Sequence, residues 1–334
     1  MSPKVSIIIP VFNGADFLAE AISSAINQTY QNIEIIVVND GSSDDGATER
    51  VARTFGSRIQ YIFQENGGVA AALNTGIQAM QGELFSWLSH DDKYLPTKIH
   101  QQVEAFTLGG GVDIVYSDFW VIDQAGRRLR SHVLPSVREK QMRCFLTSSS
   151  ALHGCTLLIP KKYLEEEGGF DLKLRTTQDY DMWFKLASKW RFRRVEQCLV
   201  EVRYHASQLT SSIPDTVRNE QDLMYARFVD SLVDREVEPF SNGRVELFYL
   251  RLLSRFIALR QSLAQNAVEK RIAHLKINSP RSIFFKCQVL WARTINMFYL
   301  RCKVSLRRKV FRSPNGVLAK MINVLGQVRE SVSR

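Results

Sequence analysis

Four short apolar runs punctuate the first ninety-odd residues: Val5 to Pro10, Ile33 to Asn39, Ile59 to Gln64 and Leu84 to Ser89. Each is β-branched or aromatic and too apolar for a strand with one wet face, so the pattern predicts parallel strands buried on both sides. Between them, Ala15 to Asn27, Ala47 to Phe55 and Val69 to Met80 place apolar residues at three- and four-residue spacing. These segments are expected to be helices, and the strand–helix–strand alternation implies right-handed crossovers in an α/β sheet flanked by helices. Ligands on such sheets bind outside the carboxyl ends of the strands. Those ends are Phe12-Asn13-Gly14, Asp40-Gly41-Ser42, Asn66-Gly67-Gly68 and Asp91-Asp92, with a further helical pattern from Lys93 to Leu108.

Composition adds an asymmetry. The 334 residues carry a net charge of +10, yet Lys270 to Arg329 holds fourteen Lys and Arg and no Asp or Glu, so the remainder sums to 10 − 14 = −4. Basicity belongs to the tail, and the part bearing the strand-end acids is mildly acidic. Ser211 to Asp215, a polar stretch with Pro214, marks an expected boundary between a catalytic domain, 1–212, and a helical, basic C-terminal extension, 213–334. The five cysteines, 144, 155, 198, 287 and 302, show no CxxC or Cys/His zinc spacing and read as idle thiols in a reducing compartment. No signal peptide is discernible, and no uncharged apolar stretch reaches the roughly 18 to 20 residues of a membrane span. A cytoplasmic location is expected.

Several segments can carry chemistry, and each has a plainer reading. Asp40, in an Asp-Gly turn after a buried run, can accept hydrogen bonds from a base or ribose, or simply close the turn. Asn66, Gly67 and Gly68 open a helix whose amides can face an anionic group, or form only a tight connection. Asp91 and Asp92 offer hard oxygen ligands for Mg²⁺ or Mn²⁺, which would bridge a diphosphate; as an isolated pair they read more readily as a cap of the helix expected from Lys93 to Leu108. Asp179 begins a helix with Trp183 four residues later on the same face, so it can project into a cleft beside an aromatic wall. Burial there would raise its pKa and make it a general base, whereas the plain alternative, open to Asp181 too, is an acid favoured by the helix dipole. His153 and His205 lie near strand ends and read individually as structural histidines.

The ordered set of VSIIIPVFN, then Glu34 to Asp45, then NGGVAAALNTGIQAMQGELFSWLSHDD, GGFD and QDYDMW resembles the family 2 glycosyltransferases of GT-A fold, from about Val5 to about Ser212. The resemblance implies a Rossmann-like, mostly parallel sheet and an inverting transfer from a nucleoside-diphosphate sugar, usually a UDP-hexose or UDP-N-acetylhexosamine. It implies that Pro10, Val11, Phe12 and Asn13 line the nucleoside, that Asp40 reads the nucleobase and that Asp91 and Asp92 hold the diphosphate through the metal. Asp179 falls where the family keeps its base, and His205 near the diphosphate or metal. His153 and Gly154, with Trp183, fall on the acceptor side. Ser89 replaces an acid that many members have, and Gln178 stands where a Glu often precedes the base. A non-catalytic nucleotide-sugar binder is the alternative that Ser89 keeps open.

Other classes fit less well. No GxGxxG follows the first strand, which argues against a dinucleotide site, and no nucleic-acid motif accompanies the basic tail. From Arg281 to Arg312 the tail mixes nine Lys and Arg with Phe284, Phe285, Trp291, Phe298 and Tyr299. At 100° per residue the pattern leaves an aromatic face opposite a basic one, the profile of an interfacial helix on an anionic membrane. Its plainer reading is a helical cap or an oligomer contact. Membrane docking would suit a lipid-linked saccharide acceptor, as in assembly of bacterial surface polysaccharide.

Overall fold

Val5–Val11 (β1) is buried along its whole length, as its unbroken β-branched run requires of a strand with helices on both faces. In the computed structural model, residues 2–138, 141–205 and 213–275 are described, all within one compact unit, Met1–Lys276. β1 pairs in parallel with Ile33–Asp40 (β2), which pairs in parallel with Gln60–Gln64 (β3). On its other side β1 pairs in parallel with Leu84–Trp87 (β4). Helices Leu18–Ile26 (α1), Ala47–Arg53 (α2) and Val69–Ala79 (α3) make the crossovers. The four expected strands and three expected helices are therefore present, each helix slightly shorter than its apolar periodicity.

Two local expectations are corrected. β3 is the edge strand, with Phe63 59% exposed, so that run is not buried on both sides. The Lys93–Leu108 pattern divides at Pro96: Lys93–Tyr94 (β5) joins the sheet and only Lys98–Leu108 (α4) is helical, because the residue before a proline is driven out of the α region.

The second half of the sheet is mixed. Ile114–Ile122 (β6) carries Arg128–His132 (β7) as an antiparallel partner. Met142–Ser148 (α5) leads to Leu157–Pro160 (β8), which lies antiparallel between β4 and β6. After Lys161–Glu166 (α6) and Gln178–Leu186 (α7), Phe192–Arg203 (β9) pairs in parallel with β6 and antiparallel with β5. The strand order is β3-β2-β1-β4-β8-β6-β9-β5. This topology delivers the ends of β1, β2, β4 and β9 to one edge.

Helices Pro214–Ser231 (α8), Asp234–Phe240 (α9), Val245–Leu259 (α10) and Ser262–His274 (α11) follow. Pro214 occupies the first turn of α8, where its missing N–H is no loss. They pack on α5 and α7: the Phe184 and Phe228 rings stack 3.7 Å apart, and Arg143 bonds both Glu236 oxygens. Among the described residues no helix is long and apolar enough to cross a membrane. The basic aromatic segment from Arg281 to Arg312, with Cys287 and Cys302, lies outside the described residues. Cys144, Cys155 and Cys198 are free thiols, the first two buried.

Candidate active site

The ends of β1 and β2 are tied together by short polar side chains. Asn13, at φ 49°, accepts the Ser43 N–H through Oδ1 at 2.7 Å, and its own N–H donates to Ser42 Oγ at 2.9 Å. Pro10 and Val11 are buried while Phe12 is 45% exposed, presenting a ring at the strand end. Asp40 is 3% exposed, and its carboxylate accepts the N–H groups of Gly67 and Gly68 at 2.9 and 2.8 Å and the Gln64 amide at 2.7 Å. Those two amides therefore face Asp40, which corrects the expectation that they are open to a ligand's anion. Gly41, at φ +70°, passes so close that a Cβ there would meet the Asn66 nitrogen at 2.6 Å. The Asp-Gly turn and the Asn66-Gly67-Gly68 turn are one interlocked unit.

Asp91 and Asp92 diverge. Asp91 Oδ2 lies 3.0 Å from His205 Nε2, and both side chains keep a little exposure, 13% and 7%. Asp92 turns inward at 2% exposed: one oxygen accepts the Arg203 N–H at 2.9 Å and the other the Cys155 thiol at 3.2 Å. Burial, reinforced by the Asp91 charge, holds the Asp92 carboxyl well above the usual carboxylate range. The pair expected as joint metal ligands is thus split into an open member and an interior one.

Two ligand sets result. Asp91 and His205 present a carboxylate oxygen and an imidazole nitrogen 3.0 Å apart, both slightly exposed, and are candidate ligands for a divalent cation. Among the described residues, Asp92, His153 and Cys155 also converge, with candidate ligand atoms within 4.8 Å of one another. Sulfur there suits a softer ion than magnesium, and burial pushes the Cys155 thiol well above its ordinary value, so the unbound cluster keeps its proton. His153 sits 3.9 Å from Asp92 and 5.8 Å from the Phe119 ring, and burial draws its pKa down to about 4. Gly154 is pressed on the Trp87 ring and serves packing.

Asp179, in the first turn of α7, is half-buried and accepts the Tyr180 N–H at 2.7 Å. Burial lifts its pKa to about 6, against the lowering pull of that N–H. The next side chain fixes the neighbouring loop, the Tyr180 hydroxyl accepting the Leu152 N–H at 2.9 Å. Asp181 has the duller role, paired with Lys185 at 2.8 Å and Arg227 at 3.1 Å. Trp183 is corrected: it is fully buried, edge-on to Phe170, and forms the floor beneath α7, not a wall of the cleft. Phe170, from the Gly168–Asp171 motif, is bonded through its backbone to both ends of the Asn74 amide, which anchors that motif on α3.

Arg203 escaped the sequence reading. It is 0% exposed, and its guanidinium donates to the Asp91 and Gln124 carbonyls, pairs with Glu20 at 2.9 Å and lies 4.4 Å from the Phe17 ring. The signal was its place at the end of β9, two residues before His205.

With this geometry in hand, the chain can be set beside known proteins. The sequence profile described as Glycosyl transferase family 2 matches residues 6–168. An uncharacterized glycosyltransferase of Rickettsia conorii is 46% identical over 239 residues, covering 70% of this chain and 39% of that protein. One from Rickettsia prowazekii is 43% identical over 245 residues, covering 71% of this chain and 74% of that protein. The chain thus spans about two-fifths of the length of some relatives it matches and three-quarters of others. Among solved structures, S. aureus TarS 1-349 in complex with UDP-GlcNAc superposes with a TM-score of 0.59 at 18% identity, covering 89% of this chain and 92% of that one. The mannosyltransferase PcManGT from Pyrobaculum calidifontis, in complex with GDP-Man and Mn²⁺, gives 0.52 at 18% identity, covering 88% and 87%. The likeness to those structures is one of fold, and the fold is of GT-A type, an α/β sheet flanked by helices.

Proposed function

This chain belongs to glycosyl transferase family 2, and from that premise we propose that it moves a sugar from a nucleoside-diphosphate donor, of UDP type, to a saccharide acceptor with inversion at the anomeric carbon. The observation that carries the reading is the Asp91–His205 pair at the carboxyl edge of the sheet. The nucleotide-sugar complexes of the two structures of like fold support it.

Breaking the anomeric bond leaves a diphosphate of high negative charge, and stabilising that group is the main electrostatic task. Asp91 and His205 would hold Mg²⁺ or Mn²⁺, which supplies positive charge to the departing diphosphate when bound. Arg203 keeps the Asp91 backbone in place and Asp92 braces β9 from inside. Phe12 and the Asn13–Ser43 turn border the nucleoside side, while Asp40 shapes that wall through the loop it holds. Asp179, half-buried and with a pKa of about 6, takes the proton of the attacking acceptor hydroxyl. Holding donor and acceptor in line supplies much of the remaining acceleration. The basic aromatic tail supports a lipid-linked acceptor met at the inner face of an anionic membrane.

The test is turnover of a panel of nucleotide sugars with Mn²⁺ and saccharide acceptors. Transfer or donor hydrolysis abolished in Asp179→Ala supports an enzyme. UDP binding with no turnover in the unmodified chain, under every acceptor tried, would favour a non-catalytic binder.

A further inference from the structure

The end of α5 meets α9 and α10 around a cavity of about 260 Å³. Its wall carries Arg244, Arg251 and Arg255 together with Phe240, Leu247 and Leu252. Arg255 follows Arg251 by four residues, so the two share one face of α10, and Arg244, at the N-cap of that helix, lines the same cavity. Like charges at that spacing repel. Arg244 also caps the amino end of the helix, where the dipole disfavours a cation. Among the described residues neither Arg244 nor Arg251 pairs with an acid. Arg255 donates to the Ser148 carbonyl at 2.8 Å and the Tyr225 hydroxyl at 3.1 Å, both neutral, and its buried Nε meets no acceptor. Three cations gathered without an acidic partner among the described residues leave a place for an anion.

The cavity adjoins the chemistry by two routes. Ser148 ends α5, and the loop that follows has its Leu152 N–H held by the Tyr180 hydroxyl, next to Asp179. Tyr225, under Arg255, has its pKa raised by burial and, to a smaller extent, by the Asp179 charge. A group seated among the arginines would therefore lie on the side from which an acceptor reaches Asp179.

We propose that this cavity holds a phosphate group of the acceptor, the guanidiniums gripping its oxygens and Phe240, Leu247 and Leu252 lying against an apolar portion beside it. The planar guanidinium fork matches phosphate oxygens two at a time, and three of them suit a multiply charged anion better than a carboxylate. The assignment to the acceptor rests on the reading of Asp179 as the base. It names the acceptor's class: a saccharide joined to a phosphate, with an apolar group near it.

The experiment is calorimetric titration of the full chain with inorganic phosphate, decyl phosphate and decanoate, each with and without saturating UDP and Mg²⁺. Decyl phosphate is expected to bind equally in both cases, more tightly than either other probe. Arg244→Gln with Arg251→Gln should weaken it by about tenfold or more and leave UDP affinity unchanged, which also reports that the variant is folded. Competition between decyl phosphate and UDP, equal binding by the double variant, or no binding to the unmodified chain would overturn the site. Decanoate binding as tightly would overturn phosphate as the ligand, and inorganic phosphate binding as tightly would overturn the acceptor assignment. Decyl phosphate bound by a chain that fails to bind UDP would place the error in the donor reading and leave the cavity standing.

Discussion

His205 Nε2 lies 3.0 Å from the Asp91 carboxylate although 114 residues separate them in sequence. The contact exists because β9 runs beside β5 and ends at the same edge as β4, and because Arg203 fastens the two segments. A carboxylate and an imidazole brought together by topology, with a little exposure left on each, are the candidate cation ligands of the proposed mechanism. Two adjacent acids in a turn would not make one by themselves.

Asp91→Asn and His205→Ala are each expected to bring UDP affinity in Mn²⁺ down to the level measured in EDTA, a loss of about 10- to 100-fold. Asp92→Asn should retain most of that affinity, because Asp92 faces Arg203 and Cys155. The measurement is UDP titration of the three variants with and without metal. The reverse order, with Asp92 the sensitive position, would put the ion on the interior cluster.

If Asp179 is the base proposed for the acceptor's proton, Asp179→Asn lowers kcat by orders of magnitude with UDP affinity nearly intact. As a base with a pKa of about 6, Asp179 makes activity fall as pH drops through 6. The same shift acts on stability in the opposite sense. A carboxyl raised from 3.8 to about 6 binds its proton more tightly when folded, so it favours the fold below pH 3.8 and loses that contribution as pH rises to 6. An asparagine side chain never ionises, so the Asp179→Asn variant should melt higher than the parent at pH 7 to 8, by about 2 to 4 °C for each kcal/mol of strain relieved. An unchanged pH–activity profile, with the Asp179→Asn variant as active as the parent, would remove Asp179 from the chemistry.

The first half of the fold was legible because its signals are local: apolar runs, helical spacing and Gly or Asp turns lie within a few residues of each other. β3 was misjudged because whether a strand is at the edge depends on what pairs with it, and Gln60–Gln64 reads apolar either way. Trp183 failed for a related reason. Helical spacing puts it on the Asp179 face, yet the chain buries that side against Phe170. The split between Asp91 and Asp92 and the role of Arg203 depend on β9, over a hundred residues downstream. Nothing near the Asp-Asp pair announces them.

Gly154→Ala tests whether the turn beside His153 is built for packing. A Cβ at that position would meet the Trp87 ring at 2.5 Å, and the ring is 8% exposed and cannot retreat freely. Overpacking of this kind should destabilise the protein by about 1 to 3 kcal/mol. Thermal melting of the variant gives the answer, and a Tm equal to the parent's would mean the turn yields without strain.

Arg203 should be the residue whose loss is felt in fold and site together. Its guanidinium is buried, so Arg203→Met removes a cation that bonds two carbonyls and Glu20, and leaves those acceptors facing an apolar side chain. Breaking a buried pair from one side typically costs about 3 to 5 kcal/mol. Glu20 is 50% exposed and can rehydrate, which places the expected loss at about 3 kcal/mol. At roughly 2 to 4 °C per kcal/mol the melting temperature should fall by about 6 to 12 °C. Arg203→Lys separates the two effects. It keeps the charge and the Asp92 contact, which comes from the backbone N–H, but an ammonium is a point charge and cannot span the Asp91 carbonyl, the Gln124 carbonyl and Glu20. The Lys variant should therefore melt closer to the parent than Met does while its metal-dependent UDP affinity still falls, because Asp91 has lost the anchor that aims it at His205. Parent-like UDP affinity in Lys would reduce Arg203 to a structural filler, and a parent-like Tm in Met would deny it even that.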